Sequence, residues 1–181
     1  MNEEEMIQKA IRFADERFKA QNILRKYTNT PYIEHPIAVM EIVESVPHTI
    51  EQLLAAILHD TVEDTNTTFE EISDNFGEKV TDLVRWLTDV STKADGNRAV
   101  RKAIDRQHSA DAPAEAQTIK LADILDNSKS ILEHDKSFAA VYLPEKWLQL
   151  RVLLKGDPVL RVRALSVVRN GMRSLGLETD A

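Results

Sequence analysis

Leu53-Leu54-Ala55-Ala56-Ile57-Leu58-His59-Asp60-Thr61-Val62-Glu63-Asp64-Thr65 opens as an apolar helical run and closes on four ionisable groups within six residues. A Thr/Asn cluster that reads as a loop follows. A core helix gains nothing by ending this way. An adjacent His and Asp suit a divalent cation, because imidazole nitrogen and carboxylate oxygen are both ligands. Two residues cannot hold a metal alone, so the stretch calls for further ligands elsewhere.

Upstream, Thr49 caps this helix, with Gln52 three residues on as a capping box. Residues 33 to 46 form an earlier helix with Val39, Ile42, Val43 and Val46 on its apolar face and His35-Pro36 at its start. Residues 3 to 21 form the first, with Ile7, Ile11, Ala14 and Phe18 at helical spacing. Arg25-Lys26 and a loop from Tyr27 to Tyr32 join the two.

Downstream, Thr67-Thr68 and Glu70-Glu71 start a short helix, and Asn75-Phe76-Gly77 stops it. Residues 78 to 89 resume, with Val80, Leu83, Val84 and Leu87 inward, and 90 to 97 form a polar loop. Arg98 to His108 carry Arg98, Arg101, Lys102 and Arg106, which read either as a solvated face or as an anion-binding rim. After the break at Asp111-Ala112-Pro113, residues 114 to 133 form a long helix with Leu121, Ile124, Leu125 and Leu132 on one side. Lys120, Asp123 and Asn127 line another side. Stretches 137 to 155 and 159 to 174, parted by Gly156-Asp157-Pro158, read as scaffold.

These periodicities predict an all-α fold, a single helical bundle over residues 1 to 181. Composition agrees, since 5 glycines and 6 prolines leave few turn formers. The absence of cysteine excludes disulfides, thiolate metal sites and Cys nucleophiles, and fits a cytoplasmic protein. No apolar run is long enough to cross a bilayer, and the acidic start Met1-Asn2-Glu3-Glu4-Glu5 is no signal peptide, so no membrane partner is expected. A net charge of −7 argues against nucleic acid as partner but leaves room for a small anion where cations cluster. The apolar faces of the last two helices fit either core or a dimer interface, so a homo-oligomer stays open.

His35, His59, Asp60 and Asp123 are the candidate ligands. Two imidazoles and two carboxylates suit manganese, iron or magnesium at least as well as zinc. Glu63 and Asp64 lie a turn beyond His59-Asp60, where one could take a proton from water or fix its orientation.

The His35, His59-Asp60 and Asp123 pattern resembles the signature of the HD-domain metal-dependent phosphohydrolases. Thr30-Pro31-Tyr32-Ile33-Glu34-His35-Pro36, Leu58-His59-Asp60-Thr61-Val62-Glu63-Asp64-Thr65 and Lys120-Leu121-Ala122-Asp123-Ile124-Leu125-Asp126-Asn127 narrow this. They look like the hydrolase domain of the RelA/SpoT family over about residues 7 to 155, in the form of a stand-alone small alarmone hydrolase. The resemblance implies an HD-domain bundle with a metal site between core helices; residues 156 to 181, beyond the match, read as a C-terminal scaffold helix. It implies manganese-dependent hydrolysis of a small-molecule nucleotide, guanosine 3′,5′-bis(diphosphate) (ppGpp) or its pentaphosphate relative, to GDP or GTP plus pyrophosphate. By position, His35, His59, Asp60 and Asp123 match the metal ligands, and Glu63 and Asp64 match the acids that activate water. Arg25, Lys26 and Asn127 match nucleotide contacts. Lys93, Arg98 and Arg101 fall where the family binds phosphate, and Tyr142 and Lys146 are candidates for the pocket wall.

Departures bear on the base. Phe18 stands where the family often has histidine, and Asp126-Asn127-Ser128-Lys129 lacks the family's usual arginine. An adenosine alarmone (ppApp) or NADPH would use the same metal centre, and a non-catalytic nucleotide sensor is the third reading.

Overall fold

The computed structural model describes residues 1–177, and these are helical with no strand among them. An isolated antiparallel bridge joins Leu24 to Pro31. The chain divides into two compact units, Met1–Thr88 and the part from Asp89 onward.

The first unit holds α1 (Glu3–Ala20), α2 (Glu34–Glu44), α3 (Ile50–Leu58), the single turn α4 (Thr61–Asp64), α5 (Phe69–Phe76) and α6 (Glu78–Leu87). α3 is its axis and packs against α1, α2 and α6. Leu53 to Leu58 are all buried, which is the pattern of a helix with no solvent face. Thr49 caps α3 reciprocally with Gln52, as the sequence predicts. On α1 the buried edge is Ala10, Ala14 and Phe18, while Ile7 and Ile11 are only half-buried. The expected apolar face is therefore rotated toward the small alanines, which let α1 approach α3 closely. On α2, Met40 is buried and Ile42 is half-exposed, a similar small rotation. Between α1 and α2 the chain turns through Asn22 and Asn29 at φ 54 and 55, left-handed positions that asparagine tolerates.

The second unit holds a 3-10 turn (Lys93–Asp95) and α7 (Arg98–Asp111), α8 (Ala114–His134), α9 (Lys136–Leu150) and α10 (Pro158–Ser174). α8, α9 and α10 pack on one another and α7 lies on α9. α8 is buried on most sides, including Ala116, Ile119, Leu121, Ala122, Ile124 and Leu125. Two expectations need correction. The helix expected over 137 to 155 ends at Leu150, because residues 151 to 157 turn back to meet the Gln117 side chain. The loop expected over 90 to 97 contains the 3-10 turn, closed by Asp95 capping Thr92. α9 also runs through Pro144, whose missing N–H removes one helical bond.

The second unit is pinned by buried polar groups. The Asp105 carboxylate accepts bonds from the Val90 N–H, the Ser91 N–H and the Ser91 hydroxyl, anchoring the loop onto α7. Gln117, 1% exposed, donates through Nε2 to the carbonyls of Ser109, Ala110 and Ala112 and accepts at Oε1 from the Lys155 and Gly156 N–H groups. Pro113 supplies no N–H to these last carbonyls of α7, so the amide takes over that role.

Candidate active site

In the first unit the end of α3, the turn α4 and the start of α2 converge. His59 is the C-cap of α3 and is buried, and its Nδ1 faces the Ala56 carbonyl at 2.8 Å. A carbonyl can only accept, so Nδ1 carries the proton and Nε2 presents its lone pair. That lone pair faces Asp60 Oδ2 at 3.0 Å. His35, buried in the first turn of α2, brings its Nε2 to 3.6 Å from the same oxygen. The two imidazole rings stand edge to face, 5.3 Å between centroids. Two imidazole nitrogens thus meet at Asp60 Oδ2, giving three ligand-type atoms in one place. Two imidazole nitrogens and a carboxylate oxygen suit a divalent cation, and the donor set fits such an ion.

Tyr32, within the motif that ends at His35-Pro36, has a role that the sequence does not reveal. Its hydroxyl donates to Asp60 Oδ2 at 2.8 Å, and its ring packs on Phe18 at 4.7 Å. The available signal was its spacing, three residues before His35. Tyr32 also walls a cleft of about 170 Å³ with Phe18, Asn22 and Leu24. Arg25 is half-buried and Lys26 exposed on the adjoining turn, where the Arg25 N–H meets the Thr30 carbonyl at 2.9 Å.

Glu63 and Asp64 belong to α4, one turn past Asp60. Thr61 fastens this turn to α3 by donating to the Leu58 carbonyl at 2.6 Å. Desolvation, then the negative charges of Asp60 and Glu63, push the Asp64 carboxyl up to about 6. Crowded acids of this kind suit a group that picks up a proton near neutral pH.

The second unit carries the other expected residues. Asp123 is buried on α8, its Oδ1 accepting from Asn127 Nδ2 at 2.6 Å and its Oδ2 lying 3.5 Å from Lys120 Nζ. Lys120, Asp123 and Asn127 thus share one side of the helix, and the Asn127 amide is engaged by the carboxylate. Tyr142 is buried on α9, with Lys146 Nζ 5.2 Å from its ring centre. Burial and then Asp123 push the Tyr142 hydroxyl well up, so it stays protonated. Burial and the neighbouring Lys120 push Lys146 down to about 8.

The basic segment divides. Arg98 forms a bidentate pair with Glu145 at 2.7 and 2.8 Å. Lys102 binds Asp89 at 2.7 Å and lies 3.6 Å from Asp105. Arg101 is half-buried, and Lys93 is exposed on the 3-10 turn. Burial pushes the Asp89 carboxyl up, but Lys120, Lys102 and Lys146 outweigh that and hold it below the usual carboxylate range. Asp89 was not expected to matter; its signal was an acid just before a basic segment.

Comparison with known proteins identifies the family. A model of the HD domain matches residues 10–141. The chain is 37% identical over 149 residues to the guanosine-3′,5′-bis(diphosphate) 3′-pyrophosphohydrolase MESH1 of Xenopus tropicalis, covering 81% of this chain and 76% of that protein. It is 38% identical over 130 residues to the guanosine-3′,5′-bis(diphosphate) 3′-pyrophosphohydrolase of Aquifex aeolicus, covering 70% of this chain but only 18% of that longer protein. A solved structure, described as a metazoan ortholog of SpoT that hydrolyses ppGpp and plays a role in starvation responses, superposes with a TM-score of 0.80. That match has 29% identity and covers 96% of this chain and 97% of the other.

Proposed function

The chain belongs to the HD domain family, and from that premise we propose that it hydrolyses the 3′ pyrophosphate of guanosine 3′,5′-bis(diphosphate). Water adds to the phosphorus bonded to the 3′ oxygen, the P–O3′ bond breaks, and the leaving oxygen takes up a proton. The products are GDP and pyrophosphate, or GTP and pyrophosphate from the pentaphosphate. The observation that carries this reading is the meeting of His35 and His59 Nε2 on Asp60 Oδ2, with Glu63 and Asp64 on the next turn.

In this reading His35, His59, Asp60 and Asp123 hold a divalent cation, with manganese the ion of choice. Asp123 enters through the order of the motifs. When bound there, such a cation would lower the pKa of water and neutralise charge on a phosphoryl oxygen. The chain's own groups do the rest. The Ala56 carbonyl fixes the His59 tautomer, and the Tyr32 hydroxyl holds Asp60 in register. Glu63 and Asp64 orient water and accept its proton. Arg25, Lys26, Lys93, Arg98, Arg101 and Lys146 are the cations that offset the substrate's charge, and Asn127 and Tyr142 are further substrate contacts in this reading. The HD model runs without a break across residue 88, which supports a single HD-type domain over the chain.

A second reading keeps the metal centre and changes the substrate. Asp126 and Ser128 beside Asn127 depart from the family pattern, so ppApp or NADPH is the alternative substrate. The test is product analysis of purified protein with manganese and ppGpp, ppApp or NADPH, beside metal-free and His59→Ala controls. GDP plus pyrophosphate, dependent on metal and on His59, is expected. Cleavage of ppApp or NADPH alone would overturn the substrate, and bound nucleotide without any product would point to a sensor.

A further inference from the structure

α9 and α10 leave a groove of about 410 Å³ whose walls include Trp147, Val162, Leu165, Arg169 and Arg173. This volume falls in the range of small-molecule pockets, roughly 300–1,000 Å³. No acid lines it. The Arg169 guanidinium stands 5.6 Å from the centroid of the Trp147 ring, and Arg173 follows one helical turn later.

Three arginines elsewhere in this acidic chain are matched to carboxylates: Arg17 with Glu71 at 2.7 Å, Arg85 with Glu78 at 3.1 Å and Arg98 with Glu145 at 2.7 Å. Arg169 and Arg173 have no such partner among the described residues. Like charges one turn apart repel, so this pair is an arrangement that an anion would relieve. A guanidinium stacked on an aromatic ring keeps its N–H edge free for a phosphoryl group. Trp147 Nε1 is itself buried, so the indole offers carbon surface rather than its donor. Val162, 66% exposed, extends that apolar floor, and Ser166 and Asn170 add neutral polar contacts.

We infer that this groove binds a nucleotide as a second ligand, its phosphoryl group on Arg169 and Arg173 and its base on the carbon surface of Trp147 and Val162. None of these residues belongs to the proposed catalytic set, so the inference stands apart from the turnover reaction. A phospholipid headgroup shares the phosphate chemistry but not the planar base.

The chain has two tryptophans, so Trp86→Phe leaves Trp147 as the only indole reporter. The probe is GDP, titrated into this variant and into the same variant carrying Arg169→Gln and Arg173→Gln, with circular dichroism to compare their folds. A saturable change in Trp147 fluorescence is expected, at least about tenfold weaker in affinity when both arginines are replaced. Hydrolysis is expected to persist in the arginine variant. The inference is overturned by no response to GDP up to millimolar concentration, or by equal affinity in both proteins. Equal affinity for inorganic pyrophosphate would also overturn it, because the base would then contribute nothing. Binding to vesicles containing phosphatidic acid, with none to GDP, would overturn it in favour of a lipid.

Discussion

Replacing Gln117 with Leu removes a buried amide while nearly keeping its volume. Five backbone groups lie within reach of that amide. The Ala112 carbonyl keeps a bond from Lys155 Nζ at 3.0 Å, and the Ala110 carbonyl and Lys155 N–H lie where water has partial access. The Ser109 carbonyl and the Gly156 N–H, whose bonds to the amide are fully buried, are left without it. Each such group costs about 1–3 kcal/mol. A loss near 4 kcal/mol is therefore expected, or roughly 8–16 °C in Tm for a chain of this size. Urea unfolding followed by circular dichroism measures it. Gln117→Glu keeps the acceptor for Lys155 and Gly156 but sets oxygen against three carbonyls. It should be destabilised at neutral pH and partly recover toward acid, where the buried carboxyl protonates and can donate. A loss below about 1 kcal/mol in Gln117→Leu would refute the assignment of this amide as the tie between the end of α7 and the 151–157 turn.

Glu63→Gln should keep bound manganese, read by metal analysis, while turnover of ppGpp falls about 10²–10⁴-fold; unchanged turnover would remove Glu63 from the proposed chemistry. Lys146 predicts a pH effect of defined sign. Its folded pKa of about 8 lies below the ordinary lysine value, so the unfolded chain holds this proton more tightly. Stability contributed through Lys146 therefore rises as pH climbs from about 8 to about 10, by no more than roughly 3 kcal/mol. Urea midpoints at both ends of that window should differ less in Lys146→Met than in the parent, and an equal difference would show that burial does not penalise this charge.

The helical fold was legible because its signals are local. Thr49 with Gln52, Gly77 and Asp157-Pro158 mark ends by backbone chemistry that needs no tertiary partner. The convergence of His35 on Asp60 followed from the chemistry of the ligands, although the two are far apart in sequence. What escaped depends on packing. The rotation of the α1 face toward Ala10 and Ala14 reflects a close helix approach that hydrophobicity alone does not rank. Tyr32 holding Asp60, Asp89 holding Lys102 and Gln117 replacing the donor lost at Pro113 are long-range side-chain bonds, and a periodicity carries no trace of them. The pairing of Arg98 with Glu145 joins positions on two helices, so the segment looked more uniformly basic than it is.

α3 has no solvent-facing side and ends directly in His59-Asp60, with α4 fastened to it through Thr61. Adding or removing one residue there would turn everything beyond by about 100° and carry the histidine, the aspartate and both acids off their bearings together. The exposed stretch from Thr92 to Asn97 carries no such constraint from burial. The fold can absorb a change of length in that stretch if Lys93 is kept, while residues 50 to 64 form a cassette to be transplanted whole or left alone.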